Sequence, residues 1–135
     1  MTVPPLPFVD TNVLLCLLCD DEAKADRAEA LLAGRIVIGV QVLNEFLNVT
    51  RRKMGLPWPE VEQALTDVQR FADVRPLTLA THRQGLALAK RYQLGVYDAM
   101  IAAAALEAGC TTLASEGFSH GQRFEGRLTV RNPFA

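Results

Sequence analysis

Short apolar runs alternate with longer segments of helical periodicity along the whole chain. Five runs rich in β-branched or other apolar residues have the length of a buried strand. They span residues 6–10, 35–40, 74–77, 111–114 and 128–130. Segments in which apolar residues recur at helical spacing separate them. These span residues 11–19, 20–34, 42–54, 57–72, 79–92 and 96–108. Strands that alternate with helices predict an α/β fold, with a parallel sheet covered on both faces.

The helix predicted over 96–108 has almost no polar face, which is typical of a helix buried in a core. No repeat, linker or low-complexity tract interrupts the 135 residues, so the chain is expected to form one domain over 1–135. In parallel α/β sheets, functional sites lie beyond the carboxyl ends of the strands. Residues that directly follow a predicted strand are therefore the first candidates for chemistry.

The composition adds limits on compartment and partners. Half of the residues are apolar and 21% are charged, an ordinary globular balance. The longest apolar runs, 13–19 and 99–106, are shorter than the ~20 residues that cross a bilayer. Residues 1–7 contain three prolines and no basic residue, unlike a secretory signal. The three cysteines, an odd number, argue against a disulfide framework and fit a reducing compartment. We therefore expect a cytoplasmic protein without membrane contact.

Three acidic residues lie beside predicted apolar elements. Asp10 ends the first strand, Glu45 lies at the edge of the buried face of helix 42–54, and Asp98 lies in the first turn of the buried helix 96–108. No basic residue is near any of them in the sequence. Carboxylates gathered without basic partners repel one another unless a divalent cation lies among them. Oxygen ligands of this kind favour Mg²⁺ or Mn²⁺ over zinc.

Other interpretations of these residues remain open. Asp10 and Asp98 also suit helix capping. A phosphate-transferring enzyme with Asp10 as nucleophile is disfavoured, because such sites usually carry a second acid two residues on, where this chain has Asn12. Cys16 and Cys19 form a C-x-x-C pair, but inside an apolar helix, which favours core packing over zinc or redox chemistry.

The net charge of −1 does not indicate a general attraction to nucleic acid, although local basic clusters can still bind it. One cluster, Arg51, Arg52 and Lys53, begins about two helical turns beyond Glu45. A solvated helix face is the ordinary explanation, but beside a metal site these residues would flank a phosphate backbone. His120, in the segment SHGQR, and Arg123 are further candidates for substrate contact.

Four segments, taken in order, resemble the PIN-domain ribonucleases, and more narrowly the VapC-like toxins of bacterial and archaeal toxin–antitoxin pairs. The segments are FVDTNVLL, VLNEFLNV, LGVYDAMIAAAALEAGC and TLASEGFSHGQRFEGRLTVRNPF. A D-T-N tripeptide alone is common, whereas the ordered set with this spacing is specific. The resemblance covers nearly the whole chain.

The resemblance implies a three-layer α/β/α PIN-like fold around a five-stranded parallel sheet. It implies an endoribonuclease that uses Mg²⁺ to hydrolyse RNA phosphodiester bonds. Mn²⁺ would substitute for Mg²⁺, and the site would hold one ion or two. Asp10, Glu45 and Asp98 would ligate the metal directly or through water. A small antitoxin protein and a homodimer are the implied partners. Hydrogen bonds around the acids would come from Thr11, Asn12 and Ser115.

One position departs from the family pattern. Its closing block usually reads Ser or Thr, any residue, then Asp, whereas this chain reads Ser115, Glu116, Gly117. Either Glu116 acts as the fourth acid from the neighbouring position, or the fourth acid is missing. The second possibility favours an alternative function, a catalytically weakened PIN-like module that acts by binding RNA or a protein partner.

Overall fold

A six-stranded sheet forms the centre of the protein in a computed structural model that describes residues 5–135. The strands are β1 Phe8–Val9, β2 Ile36–Gly39, β3 Ala72–Arg75, β4 Thr112–Ala114, β5 Arg123–Phe124 and β6 Leu128–Arg131. Their order is β3-β2-β1-β4-β6-β5, and every neighbouring pair is parallel except β5 and β6. The predicted α/β fold with five parallel strands is confirmed. Residues 1–4, on which the expected absence of a secretory signal partly depends, lie outside the described residues.

The sixth strand, β5, is absent from the sequence prediction. It has only two residues and lies in a polar stretch without strand periodicity. Its pairing with β6 depends on a tight turn in which Glu125 and Gly126 both have positive φ, 56° and 66°. The Tyr92 hydroxyl accepts a hydrogen bond from the Glu125 backbone N–H at 3.0 Å, which holds this turn from another part of the chain.

Six helices connect the strands, in the order predicted from the periodicity. They are α1 Thr11–Leu15, α2 Glu22–Leu32, α3 Val40–Asn48, α4 Trp58–Phe71, α5 Leu79–Tyr92 and α6 Val96–Glu107. A 3-10 turn, Cys16–Leu18, extends α1, and a π-helical turn, Val49–Lys53, extends α3. In the π turn, the backbone N–H of Met54 donates to the carbonyl oxygen of Val49 at 3.0 Å. The three basic residues Arg51, Arg52 and Lys53 lie in this turn.

The core covers both faces of the sheet. Consecutive residues Phe8 and Val9 of β1 are both fully buried, and consecutive strand residues point to opposite faces. Helix α6 contacts β2, β4 and β6, and α5 packs along α6. Gly85 makes this approach possible, because a Cβ atom there would clash with the side chain of Met100. The apolar helix predicted over 96–108 is therefore buried, as its composition indicates.

The three cysteines are free thiols. Cys16 and Cys110 are buried, and burial raises the pKa of both thiols to about 11. Cys19 is partly exposed, and its thiol lies 3.1 Å from the carbonyl oxygen of Cys16. Within residues 5–135, no helix combines the length and the apolar character needed to span a bilayer.

The order of the strands creates a crevice beside β1. The chain moves from β1 to β2 on one side and later returns to β4 on the other side. Crevices at such switch points, outside the carboxyl ends of parallel strands, are the usual ligand sites of open α/β sheets. Asp10 directly follows β1 and Ser115 directly follows β4, so both lie at this point.

Candidate active site

Asp10 is the most strongly held acid of the crevice. Its backbone N–H donates to the Ala114 carbonyl oxygen at 3.0 Å, which continues the pairing of β1 with β4. As the N-cap of α1, Asp10 accepts the Thr11 N–H at 2.7 Å on Oδ1. The Ser115 hydroxyl donates to Oδ2 at 2.8 Å, and Asn12 Nδ2 lies 3.4 Å from the same oxygen. Asp10 therefore has the capping role that the sequence left open, and its carboxylate also faces the crevice.

Glu45 is fixed from two directions on α3. The Thr11 hydroxyl donates to its Oε2 at 2.8 Å, which links α3 to the start of α1. Gln41, one helical turn earlier, donates through Nε2 to Oε1 at 2.8 Å. The same Nε2 lies 3.1 Å from the carbonyl oxygen of Tyr97, next to Asp98. Gln41 thus connects Glu45 with the beginning of α6.

Asp98 is the third residue of α6 and is half-buried. In the part of the chain that the structure describes, no group donates a hydrogen bond to its carboxylate. It lines one cavity of 290 Å³ together with Asp10 and Glu45. We call this the acid cavity; Thr11, Asn12, Leu15, Asn48 and Val49 complete its lining. The three acids selected from the sequence thus face the same space.

The electrostatics of the acid cavity disfavour ionised carboxylates. Burial, and to a smaller extent the charges of Glu45 and Asp98, raise the pKa of Asp10 from 3.8 to about 6. Hydrogen bonds from Ser115 and Thr11 act in the opposite direction but do not cancel the effect. Burial and the charge of Glu45 also raise the pKa of Asp98. No Lys or Arg is among the described residues that line the cavity, so no side chain there neutralises these charges.

The donor set of the cavity suits a hard divalent cation. Its potential ligands are carboxylate, hydroxyl and amide oxygens, which Mg²⁺ and Mn²⁺ prefer. Among residues 5–135, no three His, Cys, Asp or Glu side chains are close enough together to hold an ion by direct contact alone. Mg²⁺ usually keeps several waters and contacts only one or two carboxylates. The residues fit an ion that is held partly through water.

The other predicted acid, Glu116, lies apart from these three. Its carboxylate pairs with Lys24 Nζ of α2 at 3.1 Å, and it does not line the acid cavity. A Cβ atom at Gly117, in contrast, would lie 4.0 Å from Asp10 Oδ2 and 3.5 Å from Ser115 Oγ. An acidic side chain would therefore reach the cavity from position 117. The backbone there does not have the positive φ that would require glycine.

The predicted RNA-contacting residues divide into two groups. Arg51 and Arg52 line a cleft of 450 Å³ next to the acid cavity, and Lys53 follows them in the π turn. His120 and Arg123 are elsewhere: His120 Nδ1 accepts the Asn132 N–H at 2.9 Å, and Arg123 donates to the Gly126 carbonyl oxygen at 2.7 Å. Neither of them lines the acid cavity or the cleft.

Two polar residues of the site, Gln41 and Asn48, were not predicted from the sequence. Gln41 orients Glu45, and Asn48 lines both the acid cavity and the neighbouring cleft. Both lie three or four residues from Glu45 on α3, so they share its helix face. Helical spacing around the candidate acid was the available indication of their role.

Three solved structures are similar to this chain. The toxin–antitoxin complex from Klebsiella pneumoniae matches with a TM-score of 0.73 and 18% identity, over 94% of this chain and 97% of that one. VapBC2 from Rickettsia felis, bound to a DNA fragment from its promoter, gives 0.67 and 17%, over 94% and 98%. Mycobacterium tuberculosis VapC20, described as a sarcin-ricin loop cleaving toxin, gives 0.64 and 20%, over 82% and 89%. At these identities the likeness concerns the fold.

The comparison of sequences gives the family. No match to a curated protein sequence is found. The sequence model of the PIN domain, however, matches residues 8–118, which include β1, all six helices and β4. The matched range also contains the three residues of the acid cavity that the sequence selected, Asp10, Glu45 and Asp98. By this match over most of its length, the chain belongs to the PIN-domain family.

Proposed function

We propose that this protein is a Mg²⁺-dependent endoribonuclease and the toxin component of a type II toxin–antitoxin pair. The observation that carries the proposal is the acid cavity, in which Asp10, Glu45 and Asp98 converge at the switch point of the sheet. Unneutralised carboxylates around one small cavity are costly without a cation. Their arrangement therefore suits a metal-assisted hydrolysis better than a purely structural role.

The residues of the chain would hold and orient the site. Asp10 would be the most rigid ligand, since Ser115 and Thr11 fix its two oxygens, and Thr11 and Gln41 would fix the two oxygens of Glu45. When bound among them, Mg²⁺ or Mn²⁺ would activate water for in-line attack on a phosphodiester and stabilise the developing charge. Asp98, free of hydrogen bonds from described residues, can adjust its carboxylate to the substrate complex.

The similar structures support the partners in this proposal. One is a toxin–antitoxin complex, another is a VapBC2 assembly, and VapC20 is described as cleaving the sarcin-ricin loop. A small antitoxin that covers the acid cavity is the corresponding partner here. A homodimer and a cytoplasmic location belong to the same proposal.

Cleavage of RNA by an Asp98→Asn variant tests the proposal. Gly95, not Asp98, is the N-cap of α6, and the Asp98 carboxylate accepts no hydrogen bond from a described residue. The isosteric Asn should therefore leave the fold intact while removing a metal ligand. Purified wild-type and variant proteins are incubated with total cellular RNA in Mg²⁺ or in EDTA, and new RNA ends are mapped. We expect discrete new ends only with the wild type in Mg²⁺.

Asp67→Asn is the matched control, because Asp67 is exposed on α4 and outside the cavity. It should cut RNA at the wild-type rate. Equal cleavage by Asp98→Asn and wild type, or cleavage that persists in EDTA, would contradict the proposed mechanism.

Gly117 favours a second candidate function, a PIN-like module that binds RNA or a protein partner with weakened catalysis. The observation behind it is that position 117, whose Cβ atom would lie 4.0 Å from Asp10 Oδ2, carries no side chain. In that case the wild type would produce no new ends in Mg²⁺ in this experiment, while a separate titration in EDTA would show that it binds RNA.

A further inference from the structure

A cleft with an aromatic wall adjoins the acid cavity. It lies between the end of α3 and the start of α4 and has a volume of 450 Å³. Trp58, the first residue of α4, forms one wall and is 53% exposed. Leu47 supplies a further apolar surface. Such an exposed indole in a cleft offers a flat face on which another ring can stack.

Arg51 holds the indole in place before any ligand arrives. Its guanidinium carbon lies 4.5 Å from the centre of the Trp58 ring. The same guanidinium donates through Nη1 to the Leu56 carbonyl oxygen at 2.9 Å, across the loop that joins the π turn to α4. A guanidinium that lies over an indole and is also hydrogen-bonded to the backbone preorganises the aromatic wall of the cleft. Part of the side-chain entropy of Trp58 is therefore already lost in the free protein, and less remains to be lost when a ligand binds.

Polar groups suited to the edge of a base line the same cleft. Asn44 and Asn48 lie one helical turn apart on α3, and both face it. Within residues 5–135, neither amide makes a hydrogen bond to another protein group. An amide offers two donors and one acceptor oxygen, which match the hydrogen-bonding edges of nucleobases. Asn48 also lines the acid cavity, so cleft and cavity adjoin at this side chain.

The charge of this region changes sign between the two spaces. Arg52 lines the cleft and Lys53 follows it in the π turn; both are exposed, and neither pairs with a carboxylate of the described residues. The acid cavity next to it is lined by three carboxylates. A nucleic-acid strand with one phosphate near the acid cavity would therefore have Arg52 and Lys53 close to its next phosphate.

We propose that this cleft binds one unstacked base of single-stranded RNA beside the phosphate to be cut. The base stacks on Trp58, and Asn44 and Asn48 contact its edge, while Arg52 and Lys53 contact the adjoining backbone. The inference rests on the proposed nuclease function, and it names the substrate class as RNA with an unpaired nucleotide at the cleavage site. Paired RNA cannot deliver a base to the cleft without losing a base pair.

Trp58 is the only tryptophan of the chain, so its fluorescence reports on the cleft directly. The experiment titrates an unstructured twelve-nucleotide RNA and the duplex of the same sequence into the protein in EDTA, where nothing is cut. We expect the single strand to quench the fluorescence and the duplex to have little effect. Equal quenching by both, or by neither, overturns the proposal.

Variants separate stacking from general attraction. With a labelled single strand and anisotropy as the measurement, Trp58→Ala is expected to bind roughly tenfold more weakly, as for loss of one stacked base. Trp58→Phe should restore most of the affinity, because a phenyl ring still stacks. Leu86→Ala, an equally exposed apolar residue on α5, is the matched control and should bind like the wild type.

The outcomes distinguish this proposal from the nuclease proposal. Unchanged affinity for Trp58→Ala overturns the base site, even if the protein cuts RNA. Binding that requires Trp58, without cleavage in Mg²⁺, supports the base site and contradicts the nuclease. A circular dichroism melt of each variant confirms folding, and failure of Trp58→Phe to bind despite a normal melt also overturns the stacking role.

Discussion

Replacing Asp10 by Asn is expected to stabilise the metal-free protein at neutral pH, although it removes a residue central to the proposed chemistry. Asp10 is only 5% exposed. Burial, with the charges of Glu45 and Asp98, raises its pKa from 3.8 to about 6. An amide removes the buried charge, still accepts the Thr11 N–H, and can donate to the Ser115 hydroxyl in the reversed direction.

The magnitude follows from the pKa. Because the folded protein holds this proton more tightly than the unfolded chain, the folded state binds more protons between about pH 4 and pH 6. The free energy of unfolding therefore falls as the pH rises through this window, and the loss is complete above it. The change from 3.8 to about 6 corresponds to about 3 kcal/mol, at 1.36 kcal/mol per pKa unit. Asn forms weaker hydrogen bonds than a carboxylate, so we expect about 2 kcal/mol, or roughly 6–10 °C in Tm.

Thermal melts in EDTA between pH 4 and pH 8 measure this effect. The Tm difference between Asp10→Asn and wild type should be small at pH 4, grow through pH 6 and then remain constant. Asp67→Asn, on the exposed face of α4, should follow the wild type throughout. Added Mg²⁺ should raise the Tm of the wild type and of Asp67→Asn, but not of Asp10→Asn. A pH-independent difference, or a less stable Asp10→Asn at pH 7.5 in EDTA, would refute the reasoning.

Three further substitutions test other contacts. Glu116→Gln should change cleavage less than twofold, because the carboxylate pairs with a lysine outside the acid cavity; a large loss in the Mg²⁺-dependent rate would support a catalytic role for it. Gly117→Asp would place a Cβ atom 4.0 Å from Asp10 Oδ2. It should therefore lower the Mg²⁺ concentration for half-maximal cleavage severalfold. An unchanged dependence of cleavage on Mg²⁺ would count against a fourth ligand position. Gly85→Ala should lower the free energy of unfolding by about 1–3 kcal/mol, since the new methyl group clashes with Met100; an unchanged urea midpoint would contradict this packing.

Local pattern was enough to predict most of the architecture. The five parallel strands and six helices come from apolar runs and helical spacing, and both depend on residues close together in the sequence. The buried state of α6 could be inferred because nearly every residue of it is apolar. The two-residue strand β5 could not be inferred from the sequence, because its pairing depends on a turn that Tyr92 supports from the end of α5.

The candidate acids were also accessible from the sequence, for a related reason. Asp10 follows a buried strand, Asp98 opens a buried helix and Glu45 borders a buried face, so each acid is unusual in its own surroundings. Burial of a charge without a partner costs free energy, so an acid among apolar residues with no basic residue nearby indicates a functional role. The sequence therefore selected the three acids that line one cavity.

What the tertiary structure alone decided is the set of partners for each side chain. Glu116 is adjacent to Gly117 in sequence, yet its carboxylate pairs with Lys24 of α2 and only position 117 faces Asp10. Likewise, Arg51 of the π turn lies over Trp58, seven residues away, and the two line a cleft that no periodicity indicates. A shift of one position along the chain, or a change from α-helical to π-helical pitch, points a side chain in a different direction. Periodicity identifies which residues are buried, but the contacts between distant elements determine which groups meet.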